Sequence, residues 1–217
     1  MKYLVANWKA QMTLPLITAW VKDFKRRIEK NEQIKIIICP PFPFTIYVKE
    51  QLKDTPGVAI GSQSLSVMAQ GRYTGEVTAE ALCDIVTYSI IGHSERRSYI
   101  KETEAMIKTQ IDRARENSIK QILCVRNAQD QRYPKVDMVA YEPVEAIGTG
   151  TNARVTDILY MKKKLSLPSD TLFLYGGSVD DTNISEYLGT NEIDGFLVGT
   201  ASLSAEKFCA MARKISE

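Results

Sequence analysis

The chain has 217 residues, 44% hydrophobic and 25% charged, with a formal charge of +2 at pH 7. That is the composition of an ordinary globular protein, and without a basic stripe interleaved with aromatics it argues against a nucleic-acid partner. Four scattered cysteines with no CxxC pair, together with one histidine, argue against a thiolate–imidazole metal site and suit a reducing compartment.

The opening "MKYLVANWKAQM" has too short an apolar run for a signal peptide, and no segment approaches membrane-spanning length. A cytoplasmic location away from membranes is therefore expected. In chain order, strands are expected over Tyr3–Ala6, Ile34–Cys39, Val58–Gly61, Ile85–Ile91, Gln121–Val125, Met138–Tyr141, Thr171–Tyr175 and Gly195–Val198. Most are continuous apolar runs, as in a parallel sheet covered on both faces. Between them run helical stripes. Ile17, Trp20, Val21, Phe24 and Ile28 follow "TLP", with proline in the first turn. Ile107, Ile111 and Ala114 mark a second stripe, and Phe208, Met211 and Ile215 a third. "KRR" at Lys25 to Arg27 and "KKK" at Lys162 to Lys164 read as solvated helix faces.

Such alternation favours a parallel α/β fold. Eight units across 217 residues leave about 27 residues each, near the lower limit for an eight-fold βα barrel. A doubly wound open sheet competes, but no G-x-G-x-x-G follows the first strand. No linker divides residues 1–217, so one domain is expected. The connection "RNAQDQRYPKVD" lacks an apolar helical stripe. A loop is expected there in place of the fifth helix, leaving the outer wall partly uncovered for a subunit contact.

Functional groups on such a barrel gather at the C-terminal ends of the strands. Polar residues at those ends are Asn7 and Lys9, then His93, Ser94 and Glu95, then Glu142, then Gly176, Gly177 and Ser178, and last Gly199 and Thr200. Lys9 alone reads as a surface lysine. His93 sits where a helix begins, which disfavours the imidazolium. Glu142 is equally compatible with a salt-bridged structural acid and with a base whose pKa desolvation raises. "GGS" and "GT" at the ends of the last two strands suit a phosphate held by backbone N–H groups.

"ANWK", "GRYTGEVTAE", "IIGHSERR", "AYEPVEAIGTG", "YGGSV" and "DGFLVGTASL" occur in this order from Asn7 to Leu203, and the chain thereby resembles the triosephosphate isomerases. The resemblance implies a TIM barrel that interconverts dihydroxyacetone phosphate and glyceraldehyde 3-phosphate with no metal or organic cofactor. It makes Glu142 the base, His93 the neutral electrophile and Lys9, beside Asn7, the stabilising cation. Glu95 becomes the acid supporting the histidine, and Ser178, Gly199, Thr200 and the lid residue Gly148 become phosphate contacts.

Glu145 stands where most members carry tryptophan, and Thr200 where they carry glycine. The short fifth connection and the short helix "VTDILYMKKKL" are similar to compact archaeal forms. The third loop, "SQSLSVMAQGRYTGEV", resembles one that docks into a neighbouring subunit, with Thr74 reaching its active site. A homodimer is the first expectation, and the trimmed helices leave room for a tetramer. Two further readings stay open on the sequence: a non-catalytic barrel that only binds a phosphorylated metabolite or a protein partner, and a lyase that lets the enediolate lose phosphate.

Overall fold

The computed structural model describes residues 1–143 and 152–216. Eight parallel strands, β1 (Lys2–Asn7), β2 (Ile34–Cys39), β3 (Val58–Ser62), β4 (Tyr88–Ile91), β5 (Lys120–Val125), β6 (Met138–Tyr141), β7 (Leu172–Tyr175) and β8 (Gly195–Val198), close into a barrel. Each strand pairs with the next and β8 returns to β1, where Val5 lies beside both Ile37 and Leu197. The pleat alternates side chains between two cores. Val5, Ile37, Ile90, Ile122, Ala140, Leu174 and Leu197 fill the barrel. Leu4, Ala6, Ile36, Ile38, Leu123, Val139, Phe173 and Val198 face the outer layer. Apolar residues on both faces are why these strands read as unbroken runs.

The helices are α1 (Leu14–Arg27), α2 (Thr45–Leu52), α3 (Ala79–Leu82), α4 (Glu104–Glu116), α5 (Val155–Leu165), α6 (Ser185–Leu188) and α7 (Ala205–Ser216). The stripes expected on α1, α4 and α7 face inward, with Ile28 and Ile215 half-buried at the helix ends. Trp20 of α1 stacks on Phe24 at 4.7 Å and meets Trp8 edge-on at 4.7 Å, and Phe208 of α7 leans on both Trp20 and Phe24. Contacts of this kind contribute about 0.5–1.5 kcal/mol each beyond area burial. Trp20 also donates its indole N–H to the carbonyl of Ser202 at 3.0 Å. This aromatic knot thus anchors both the segment leading into Lys9 and the turn Thr200–Leu203.

Two expectations need correction. β4 begins at Tyr88, not Ile85, because α3 closes in a turn whose N–H groups at Ile85 and Val86 bond back to Leu82. Residues 126–137 form a loop as expected, yet the outer wall beside it is covered. Leu123 is 0% and Val139 is 3% exposed, because Tyr133, Val136 and Leu165 pack in the missing helix's place. Arg126 and Asp130 brace the loop at 2.7 Å, and Tyr133 donates its hydroxyl to the carbonyl of Glu104. The ground for a subunit contact on that wall falls away.

Candidate active site

One pleat step above the inner core, the barrel changes from apolar to chemical. The inward positions following Val5, Ala140, Leu174 and Leu197 are Asn7, Glu142, Gly176 and Gly199. They open into a cleft of about 590 Å³ that Lys9, His93, Ser178 and Thr200 also line. Gly176 leaves room for its neighbour, while a side chain at Gly199 would only touch one. A Cβ on Gly176 would meet Cγ of Glu142 at 2.8 Å, and one on Gly199 would meet Cε of Lys9 at 3.4 Å.

Glu142 is 2% and His93 5% exposed. His93 Nε2 lies 3.0 Å from Glu142 Oε1, and the backbone N–H of Ser94 donates to Oε2 at 3.3 Å. His93 Nδ1 accepts the backbone N–H of Glu95 at 3.1 Å. An imidazolium has no lone pair for that bond, so the geometry writes a neutral ring with its proton on Nε2, aimed at the carboxylate. Burial pushes the imidazole down, but the charge and hydrogen bond of Glu142, with Glu95 behind it, hold it above its ordinary value. The backbone N–H at Nδ1 opposes that upward pull.

For Glu142 the expected rise is reversed. Burial pushes the carboxyl up, but His93, by its charge whenever the ring is protonated and by its hydrogen bond, with the Ser94 N–H and the Cys124 thiol, holds it below the usual carboxylate value. Desolvation acts as expected, and polar neighbours outweigh it.

Lys9 leaves β1 in the left-handed region, at φ 50°, a conformation that costs a non-glycine residue about 1–2 kcal/mol. Three contacts hold it there. Its N–H donates to Asn7 Oδ1 at 3.1 Å, its carbonyl accepts from Gln63 Nε2 at 2.9 Å, and its ammonium reaches Glu95 Oε1 at 2.6 Å. Gln63 also donates to the carbonyl of Cys39 at 2.9 Å, tying β2 to the same point. The loop before His93 is equally constrained. Gly92 sits at φ +69°, and a Cβ there would lie 3.0 Å from Ile107 and 3.1 Å from Arg97. The Arg97 guanidinium, itself paired with Glu104, donates to the carbonyl of Gly92 at 2.8 Å.

Sequence reasoning missed Gln63 and Cys124. Both belong to strand ends that offered no obvious acid or base, though pleat alternation from Ala59 and Ile122 turns both positions inward. The structure brings Asn7, Lys9, His93, Glu95 and Glu142 together from β1, β4 and β6. Ser178, Gly199 and Thr200 line the other side of the cleft. Thr200 is exposed, so its Cβ meets no steric objection from the core. Gly176 spends its N–H on the carbonyl of Tyr141 at 2.8 Å and serves as clearance, not as an anion donor. Gly148 and Glu145 lie outside the described residues.

A closed parallel barrel carrying a buried carboxylate and imidazole in contact at the C-terminal ends of its strands defines a TIM-barrel enzyme of the acid–base class. The triosephosphate isomerase family model matches residues 2–137 and 133–215. Curated relatives named triosephosphate isomerase include that of Dictyoglomus turgidum, 35% identical with 98% of each chain covered. That of Thermus thermophilus is 36% identical, also with 98% of each covered. That of Aquifex aeolicus is 34% identical, with 95% of this chain and 96% of its own covered. The chain belongs to the triosephosphate isomerase family.

Proposed function

We propose that Glu142, His93 and Lys9 carry out the isomerisation of dihydroxyacetone phosphate and D-glyceraldehyde 3-phosphate, with residues 1–217 acting as one catalytic domain. The chain is an isomerase of this family. The observation that carries the residue assignment is the 3.0 Å contact between Glu142 and a histidine whose Nδ1 is already occupied. A substrate carbonyl entering this contact accepts the Nε2 proton's hydrogen bond and frees the carboxylate. Glu142 then keeps its burial and loses the partner that held it acidic, so its basicity climbs when a carbon-bound proton has to be taken. The neutral imidazole then polarises the carbonyl, as is established for triosephosphate isomerases. Lys9 balances the charge of the enediolate and of the phosphate, and Glu95 positions the lysine. Ser178, Gly199 and Thr200 receive the phosphate, with Gly148 adding a lid contact on the resemblance. Purified Glu142→Gln should convert dihydroxyacetone phosphate far more slowly than wild type in a coupled assay with product analysis. Wild-type-like turnover by this variant, or methylglyoxal as the wild-type product, overturns the assignment.

The exposed surface supports a homodimer. Leu14, Leu16, Ile46, Met68, Tyr73, Tyr99 and Ile100 are exposed large hydrophobics in the segments that follow β1–β4. Only Met1 and Tyr160, among the described residues, lie elsewhere. Such clustering marks an interaction face. Thr74 is exposed in the third loop beside Gly75 at φ +91°, where it is free to enter a neighbouring subunit. Thr74→Arg should yield a monomer with reduced turnover by analytical ultracentrifugation and assay; an intact dimer with this variant overturns the role. No helix among the described residues is long and apolar enough to cross a membrane, and the reading places the enzyme in the cytoplasm.

A further inference from the structure

The opposite mouth of the barrel carries a second polar cavity. In most of the barrel the inward positions are apolar, but one pleat step below Ile37 and Ile122 stand Lys35 and Lys120. Each is paired in register with a tyrosine on the neighbouring strand, Lys35 with Tyr3 and Lys120 with Tyr88. Lys49 of α2 and Lys53 just after it line the same opening. These six residues line a cavity of about 680 Å³ whose one lining carboxylate is Asp84.

The charges there are poorly matched from within. Lys53 pairs with Glu50 at 3.1 Å, and Lys49 donates to the backbone carbonyl of Asp84. Among the described residues, neither Lys35 nor Lys120 forms an ion pair. Lys120 instead lies over the Tyr88 ring, 5.8 Å from its centroid. Lysine stems closing a barrel floor need only bring their heads to water. Four lysines line one cavity against one lining carboxylate, with Asp137 acting on Tyr88 from nearby, and the excess of positive charge is one that a multivalent anion relieves. We propose that this N-terminal mouth binds a compact phosphate polyanion, with Lys35 and Lys120 as inner contacts, Lys49 and Lys53 as the rim, and the tyrosine hydroxyls as donors. The site is separate from the catalytic cleft and does not depend on the isomerase reading.

Inorganic pyrophosphate is the probe. Calorimetric titration of the full chain should show two sites, one abolished by saturating dihydroxyacetone phosphate and one unaffected by it. Lys35→Gln/Lys120→Gln should weaken the second site by about tenfold or more, since charge-assisted hydrogen bonds are lost. The isomerase kcat/KM and competitive inhibition by pyrophosphate should stay unchanged. Lys53→Gln, at the exposed residue just after α2 and harmless to folding, should weaken the second site about twofold to threefold. A single, wholly substrate-competitive site in wild type overturns the proposal. So does a second site that keeps its affinity in both variants, or binding at the second site that raised salt leaves unchanged.

Discussion

Gly176 and Glu142 share one space: a Cβ on the glycine would stand 2.8 Å from the glutamate's Cγ and 3.6 Å from its Oε1. β6 and β7 are locked side by side by the ladder bond from Gly176 N–H to the carbonyl of Tyr141, so the backbone cannot retreat. Gly176→Ala should therefore push the carboxylate off its line to His93. The expected result is a fall in kcat of about tenfold or more, equivalent to about 1.4 kcal/mol, with KM little changed. Steady-state kinetics check this, and an unaltered kcat would show that the side chain moves aside freely.

The backbone at Lys9 predicts a difference between two inactive variants. Lys9→Ala and Lys9→Gly both remove the ammonium, but only glycine relaxes the left-handed conformation at φ 50°. Urea unfolding should find the glycine variant more stable than the alanine variant by about 1 kcal/mol. Equal stabilities would mean that Gln63 and Asn7 impose no strain on this residue.

His93 is the chain's one histidine, so its imidazole resonances need no assignment. In Glu142→Gln, the burial that pushes the ring down persists, while the carboxylate that pushes it up is gone. The His93 pKa should drop relative to wild type in a nitrogen-15 titration. A rise, or no change, would show that Glu95 and not Glu142 dominates the ring.

His93 and Glu142 together set the acid side of the pH profile. The imidazole must be neutral to act and is held above its ordinary value, while the carboxyl must be ionised and is held below its own. As pH falls, kcat/KM, which reports the free enzyme, should therefore drop first as His93 takes up a proton, with Glu142 still ionised. Cys124→Ala removes one of the donors to the carboxylate and should move upward the second loss, that of Glu142, at lower pH. Rates as a function of pH decide both points.

Cysteine reactivity follows burial. Cys39, Cys124 and Cys209 are buried, and Cys83 is exposed. Burial raises the Cys124 thiol well above its usual value and pushes that of Cys209 up to about 11. Alkylation followed by mass spectrometry should label Cys83 in the folded protein and the other three only on unfolding. Early labelling of Cys124 would mean that the floor of the cleft opens to solvent.

Much of this was legible in the chain itself. Unbroken apolar runs such as "IKIIIC" announce strands covered on both faces, and stripes such as Ile17, Trp20, Val21 and Phe24 announce the helices outside them, because burial acts residue by residue. The helix-free connection was equally visible, since 126–137 has no stripe. What covers the wall beside it was not, because Tyr133, Val136 and Leu165 reach it only after the chain folds back. Asn7, Lys9, His93 and Glu142 stood out as polar residues ending apolar strands. Gln63 and Cys124 did not, since their roles exist only through the partners that barrel closure delivers.

The sequence by itself determined the alternation of strands and helices and the residue types at the strand ends, because these depend on local periodicity, and its motifs carried the resemblance that implied the barrel. The tertiary structure alone decided the balance of charge. Closure sets His93, Ser94 and Cys124 around Glu142, and their summed fields reverse the pKa shift that burial alone predicts. Electrostatic energy depends on distances among residues far apart in the chain, and only the closed barrel sets those distances.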